Sequence, residues 1–363
     1  MIYLDYNASV PLRPCAKEAT IEAYNFTGNA SSPHYAGRKV RALIEEARKT
    51  ILKEVKGQHL VFTSGGTEAN GLALSGLGEM PLVISSIEHE SILKARLNPY
   101  LVPVTSKGIV DLGKLEKTLS SFETPGLLSL MLVNNETGVI QPLQEAVSLA
   151  QERGWKVHTD ASQALGQIPF SFEELGVDMM TISSHKCGGP TGIGALILKE
   201  GLHLQPLIRG GGQEFGMRSG TLAAPLIVGF AAAVKEALFE REEQSKRLLK
   251  WQEKVEEALP DARVYGKESP RASHVLSLGM PGVPSELQLM SFDLKGIAIS
   301  MGSACSSGKS KESHVLVAMG LPSEEVKCTI RMSMGWNTFE KDIDCFIQAW
   351  NEIYLSQHMK EAS

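Results

Sequence analysis

The stretch Met179-Met-Thr-Ile-Ser-Ser-His-Lys186-Cys-Gly-Gly-Pro190 decides how this chain folds. Its first four residues are apolar or β-branched, as in a short strand buried on both faces. The composition then switches to Ser, His, Lys and Gly, so the strand ends in a polar turn, and Gly194–Leu198 begins a second apolar run. In open α/β sheets, ligands bind at the carboxyl ends of strands. That places Lys186 at an edge where chemistry is expected.

Upstream, the same strand-then-polar pattern recurs between helical segments. Arg38–Glu54 carries apolar residues at Val40, Leu43, Ile44, Ala47 and Ile51, a helical period. Leu60–Thr63, Leu82–Ser85, Leu127–Val133 and Lys156–Thr159 read as strands, and Thr67–Leu77 and Pro142–Arg153 as helices, the latter with Pro in its first turn. Strands separated by helices predict a largely parallel sheet covered on both faces, an α/β fold. A long helix over Ala223–Leu259 follows. Beyond it, strands at Val275–Leu278, Ile297–Ser300 and Thr329–Ser333 and helices at Glu286–Leu294 and Phe339–Tyr354 predict a smaller α+β unit, with the first dozen residues packed on it. The expected division is 13–250 for the large domain and 1–12 with 251–363 for the small one, in keeping with a length of 363 residues.

Hydrophobic residues make up 43% of the chain and charged residues 21%, so a sizeable core is expected. A formal net charge of −5 argues against a nucleic-acid-coating protein, which needs clustered Lys and Arg. No apolar run approaches the length that crosses a bilayer, and Met1-Ile-Tyr-Leu-Asp-Tyr6 has no basic stretch before an apolar one, so no secretory signal is expected. The five cysteines, Cys15, Cys187, Cys305, Cys328 and Cys345, are odd in number and contain no CxxC. They fit free thiols in a reducing cytoplasm rather than a disulfide framework or a zinc site.

Most of the chemically distinctive clusters fall just after predicted strands. In Ser64-Gly-Gly-Thr-Glu-Ala-Asn70, Gly66 and Thr67 would offer N–H groups and a hydroxyl to a phosphate at a helix start; a tight turn with a capping threonine reads the same way. Burial of Lys186 would lower its pKa, as a Schiff-base lysine needs, with Ser183 and His185 as phosphate donors; an exposed loop lysine is the plainer alternative. Asp160, ending a strand, would need a partner such as a protonated ring nitrogen, or it caps the next helix. His89 could stack on a ring and move protons, or lie on the surface. Asn135 could bond a ring oxygen or belong to an Asn-rich turn. Gly210-Gly-Gly212, then Arg218-Ser-Gly-Thr221, suggests backbone passing close to something, or a flexible linker. Cys305 lies in Ser303-Ala-Cys-Ser-Ser-Gly308, small polar company that suits a reactive thiol, whereas Cys345 sits beside Phe346 and Ile347.

Taken together and in this order, the clusters resemble the cysteine desulfurases, a branch of the fold-type-I pyridoxal-phosphate enzymes related to class V aminotransferases. The matching stretches include Tyr3-Leu-Asp-Tyr-Asn-Ala8, Gly28-Asn-Ala-Ser-Ser-Pro-His34, Phe62–Asn70, Glu88-His89, Val133–Gly138, Asp160-Ala-Ser-Gln163, Ser183–Lys186, 210–221, 303–307 and Arg331-Met-Ser333. The Ser-Ala-Cys-Ser-Ser segment with His314-Val-Leu316 downstream is similar to the group serving nitrogenase and iron–sulfur cluster assembly.

The resemblance implies a fold-type-I transferase whose large domain binds pyridoxal 5'-phosphate. It implies that Lys186 holds the cofactor covalently, Asp160 pairs with the ring nitrogen, Gln163 and Asn135 approach the ring oxygen, and His89 stacks on the ring. Gly66, Thr67, Ser183 and His185 would form the phosphate cradle, and Thr221 would reach the phosphate of a neighbouring subunit in a homodimer. Arg331, assisted by Asn29, would grip the carboxylate of L-cysteine. Cys305 would take the sulfur as a persulfide, releasing alanine, and pass it to an iron–sulfur scaffold or another acceptor. No resident metal is implied, though Cys305 could serve as a transient iron–sulfur ligand; neither nucleic acid nor membrane is an expected partner. Val10, Cys187 and Gly188 depart from the commoner family residues. A selenocysteine lyase, an aminotransferase and a non-catalytic scaffold are the alternatives; Cys305 argues against the aminotransferase, and Lys186, Asp160 and His89 against the scaffold.

Overall fold

The computed structural model describes residues 1–301 and 312–361. Its central sheet has seven strands. In chain order they are β2 (His59–Thr63), β3 (Leu82–Ser85), β4 (Tyr100–Val102), β5 (Leu127–Ser129), β6 (Lys156–Asp160), β7 (Met179–Ser183) and β8 (Gly194–Leu198). They lie in the order β2-β8-β7-β6-β5-β3-β4. Only β8 runs antiparallel to its neighbours, and the remaining pairs are parallel.

Both faces of the sheet are buried, and the period of two decides which residue serves which face. Leu60 and Phe62 of β2, Met180 and Ile182 of β7, and Ala195 and Ile197 of β8 join one core. Val61, Met179, Leu196 and Leu198 join the opposite one. The first face is covered by the helices Tyr35–Val55, Leu112–Ser120, Leu143–Gln151 and the start of Ala224–Ala258. The second is covered by the Gly66–Ser75 helix. Tyr35–Val55 shows why the period holds: Val40, Ile44, Ala47 and Ile51 are buried at spacings of three and four.

A separate hydrophobic cluster gathers the rest of the chain. Leu248, Trp251 and Val255 at the far end of the long helix meet Leu276, Phe292, Ile330, Phe346 and Trp350. Its sheet is antiparallel, with β10 (Val275–Gly279) between β9 (Arg263–Tyr265) and β12 (Thr329–Ser333). The N-terminus returns to this cluster: β1 (Ile2–Tyr3) pairs in parallel with β11 (Ile297–Ala298), and Leu4 is fully buried within it.

Two strands are shorter than the sequence suggests: β11, which stops at Ala298 rather than Ser300, and β5. β5 ends at Ser129 rather than Val133, because Val133 bridges Ile140 on the chain's own return, even though Leu130 and Leu132 still donate to His158 and Asp160. That return is made by the turn 134–138, where Gly138 has φ +75° and an added Cβ would stand 2.5 Å from Val275 Cγ1. Both the left-handed backbone and the contact exclude a side chain. Gly138→Ala should therefore cost about 2–5 kcal/mol, read as a lower urea midpoint with an unchanged slope; a midpoint equal to that of the parent protein would refute the account.

Candidate active site

Strand ends supply the floor of a cavity of about 670 Å³, within the size range of small-molecule sites. β7 delivers Ser183, and the 3₁₀ turn Ser184–Lys186 that follows delivers His185 and Lys186. β6 ends in Asp160, the chain after β3 carries His89, and the turn beyond β5 carries Asn135. The helix that starts at Gly66 points its first turn into the same space. Gly66, Thr67, His89, Asn135, Asp160, Gln163, Ser183, His185, Lys186 and Arg331 all line it.

Asp160 is 8% exposed and doubly held: Ser162 N donates to Oδ1 at 2.9 Å and Asn70 Nδ2 to Oδ2 at 2.8 Å. Lys186 Nζ donates to the Asn7 carbonyl and, at 3.1 Å, to that of Ala8. Its amine opens onto the cavity yet is walled by protein. Burial brings its pKa down to about 8, Arg331 acts the same way, and Asp160 and Asp5 oppose. His185 falls to about 4 through burial and the Lys186 charge, so its ring is neutral. His89 is also lowered, chiefly by burial, although its ring is open to the cavity mouth. Its Nδ1 accepts from Ser91 N at 3.1 Å, so the neutral ring carries its proton on Nε2.

Arg331 comes from β12, outside the central sheet. It is 5% exposed, paired with Asp5 at 2.8 Å, and donates to the Asn135 carbonyl at 3.1 Å. Asn7 ties these pieces together. Its carbonyl accepts from Lys186 and from Gln163 Nε2 (3.0 Å), and its Nδ2 donates to the Asn135 carbonyl at 3.0 Å.

Two residues predicted from sequence are not brought in. Asn29 and Thr221 are exposed and outside this cavity; their neighbours Ala30, Ser31 and Leu222 line a smaller one of about 180 Å³ beside the buried Arg48–Glu214 pair. Cys305 lies outside the described residues. Among the described residues, no group of three or more His, Cys, Asp or Glu is placed to hold a metal, and no helix is long and apolar enough to cross a membrane. Sequence reasoning gave no role to Asp5, Asn7, Asn70 or Ser162. Asn70 was findable: four residues beyond Gly66, it lies on the same helix face.

The class-V aminotransferase family model matches residues 2–346. Cysteine desulfurase IscS of Dictyoglomus turgidum is 37% identical, over 94% of this chain and 92% of its own length. The chain belongs to the class-V aminotransferases and, among them, to the cysteine desulfurases. The X-ray structure of a NifS-like protein from Rickettsia africae matches with a TM-score of 0.92 at 35% identity, covering 98% of this chain and 99% of that one. A structure of SspA in complex with cysteine matches at 0.81 with 29% identity, covering 93% of this chain and 100% of that one. The fold is accordingly the fold-type-I transferase fold of this family.

The burial of Lys186 favours its free amine, and that is measurable. In cofactor-free protein, acetylation of the Lys186 peptide by acetic anhydride, followed by mass spectrometry, should rise with a midpoint near pH 8, against roughly 10.4 for a free lysine side chain. A midpoint near that of a free lysine would show a solvated amine.

Proposed function

We propose that this cysteine desulfurase binds pyridoxal 5'-phosphate in the cavity and takes sulfur from L-cysteine onto Cys305. The observation that carries the reading is the meeting of a pKa-lowered Lys186 amine, the doubly held Asp160 carboxylate and the Arg331 guanidinium in one cavity. The residues present fit the cofactor. Ser183 Oγ and Asn135 Oδ1 are buried without a protein partner, and buried polar atoms of this kind call for a ligand or water. The first N–H groups of the Gly66–Ser75 helix have no intrahelical acceptor. A Cβ on Gly66 would stand 3.4 Å from Ser162 Oγ and Ser183 Cβ, so the glycine keeps the cradle open.

In this reading Gly66, Thr67, Ser183 and His185 would hold the phosphate, Lys186 would bond the cofactor, Asp160 would serve the ring nitrogen, and Gln163 and Asn135 the ring oxygen. Bound there, the cofactor supplies an electron sink for bonds at the substrate Cα. Arg331, with Asn29, holds the substrate carboxylate. The Lys186 amine would take the Cα proton, and His89, which would lie against the ring, has a proton to give at Nε2. The Cys305 thiolate bonds to the substrate sulfur as the Cβ–S bond breaks; the electron pair stays on carbon, which after protonation is the methyl of alanine. The solved relative holding cysteine supports the substrate. Thr221 serves the phosphate site of a second subunit in this reading, which its exposure and its position outside its own chain's cavity support. Residues 13–250 are then the cofactor-binding domain, and 1–12 with 251–363 the small domain. The persulfide passes to an iron–sulfur scaffold or another acceptor protein in the cytoplasm.

Incubation with cysteine should add one sulfur to the Cys305 peptide and release alanine. Cys305→Ala should abolish persulfide and alanine turnover, and Lys186→Ala should leave no borohydride-trapped cofactor; full-rate alanine from the first or trapping in the second refutes the assignment. Arg331→Lys loses the planar fork, worth about 1.5–3 kcal/mol, so kcat/KM should fall about tenfold to a hundredfold.

A further inference from the structure

Glu136 is a buried carboxyl to which neither the cofactor cradle nor the substrate arginine gives a role. It is 2% exposed and lines the cavity beside Asn135. The turn that carries it is rigid. Asn134 Oδ1 accepts from Glu136 N at 3.0 Å, Thr137 N at 2.9 Å and Thr137 Oγ1 at 3.1 Å, while Asn134 Nδ2 donates to the Ile87 carbonyl at 3.1 Å. The carboxyl is therefore delivered to a fixed point. Burial pushes its pKa up; the hydroxyl it receives acts against that, followed by the charges of His314 and Arg331.

The hydroxyl belongs to Ser313, whose Oγ donates to Glu136 Oε2. The same Oγ accepts from Leu316 N at 3.1 Å and so caps the His314–Ala318 helix. A cap of this kind needs no carboxylate, and a buried carboxylate is costly. The next residue, His314, sits with Nε2 2.9 Å from the Glu88 carbonyl, which can only accept. Glu88 directly precedes His89. Val315, Leu316 and Met319 seat the helix on Ile87 and Met131. Two consecutive side chains thus clasp the two turns that carry His89 and Asn135, and they stand eight and nine positions after Cys305.

We infer that Glu136 is a positioning residue of the desulfurase reaction: by holding Ser313 it fixes, against the Asn135 turn, the point from which the chain leads back to Cys305. This rests on the Cys305 reading above. The binding of cofactor and of substrate carboxylate does not depend on it, so its loss slows sulfur transfer and spares both.

The test compares holoenzymes of the parent, Glu136→Ala, Glu136→Gln, Ser313→Ala and the double alanine variant. Alanine release at varied cysteine gives kcat and KM, and bound-cofactor absorbance is read in parallel. Glu136→Ala should lower kcat at least tenfold, with KM and cofactor absorbance within twofold of the parent. Glu136→Gln, whose amide oxygen still accepts from Ser313, should recover most of the rate. Ser313→Ala should match Glu136→Ala, and the double variant should be no slower than either, as residues acting through one contact require. The inference falls if Glu136→Ala keeps its kcat, if Glu136→Gln is as slow as the alanine variant, if the two alanine effects multiply, or if cofactor is lost, which would make Glu136 a mere part of the turn. Should Glu136→Ala not fold, Glu136→Gln and Ser313→Ala decide alone: a normal kcat in Ser313→Ala overturns the proposal. A parent enzyme that releases no alanine sinks the desulfurase reading itself, and this one with it.

Discussion

Asp160 is a carboxylate at the end of a central buried strand, and much of the site is arranged around it. A carboxylate there is tolerable only with donors on it. Two are built in: the Ser162 backbone N–H and the Asn70 amide. Asn70 comes from the same helix whose first turn opens at Gly66, so the element that steadies the carboxylate also lines the cavity with its N-terminus. The carboxylate and the helix N-terminus are thus held at a fixed separation by one helix packed on the sheet. The neighbouring strand end completes the arrangement, because β7 runs parallel to β6 and puts Ser183, His185 and Lys186 alongside. Asp160 in turn opposes the burial of the Lys186 charge.

How much of this the sequence discloses depends on the range of the interaction. The strands β2, β3, β6, β7 and β8 are legible because each is a short apolar run closed by a polar turn, and the sheet's two faces are filled by strict alternation. The site residues on those turns are legible for the same reason. The Pro14–Ala23 helix is not. Its buried residues are only Ala16 and Ala23, and it crosses the long helix where Gly229 leaves no room for a Cβ beside Thr20 and Ala16, so it packs by smallness and leaves no apolar period. Asn7 is illegible for another reason. Its role is to join Lys186, Gln163 and Asn135, more than a hundred residues away, and no local pattern encodes a contact of that range. The clusters read singly, each with a plain structural alternative, could not have told a cavity histidine from a surface one; the convergence of Gly66, His89, Asn135, Asp160 and Lys186 in one cavity removes that ambiguity for their position.

The two hydrophobic clusters explain why Arg331 is so well anchored. Arg331 belongs to β12, whose Ile330 and Met332 pack in the second cluster, while Asp160, Ser183 and Lys186 lie at the ends of central-sheet strands. A cavity shared between two cores works only if their relative position is fixed. The N-terminal segment does this. Leu4 is buried in the second cluster, Asp5 pairs with Arg331, and Asn7, two residues on, bonds to Lys186, Gln163 and Asn135. A stretch of four residues therefore spans the seam and bonds to both sides of it. The Asn135 carbonyl sits at the meeting point, accepting from Asn7 and from Arg331 together.

The Asn134–Gly138 turn then becomes more than a connection between strands. On one side it offers a carbonyl to the arginine and an unpartnered amide oxygen to the cavity; on the other it offers Glu136 to Ser313. Its shape is set from inside by Asn134 and from below by Gly138 against Val275, a residue of β10. Rigidity matters because three different partners must be met at once, and a tilt that improved one hydrogen bond would lengthen the others. Hydrogen bonds to charged groups lose their value steeply with poor geometry, so a stiff turn can hold Arg331, the cavity wall and Ser313 in register where a mobile loop could not.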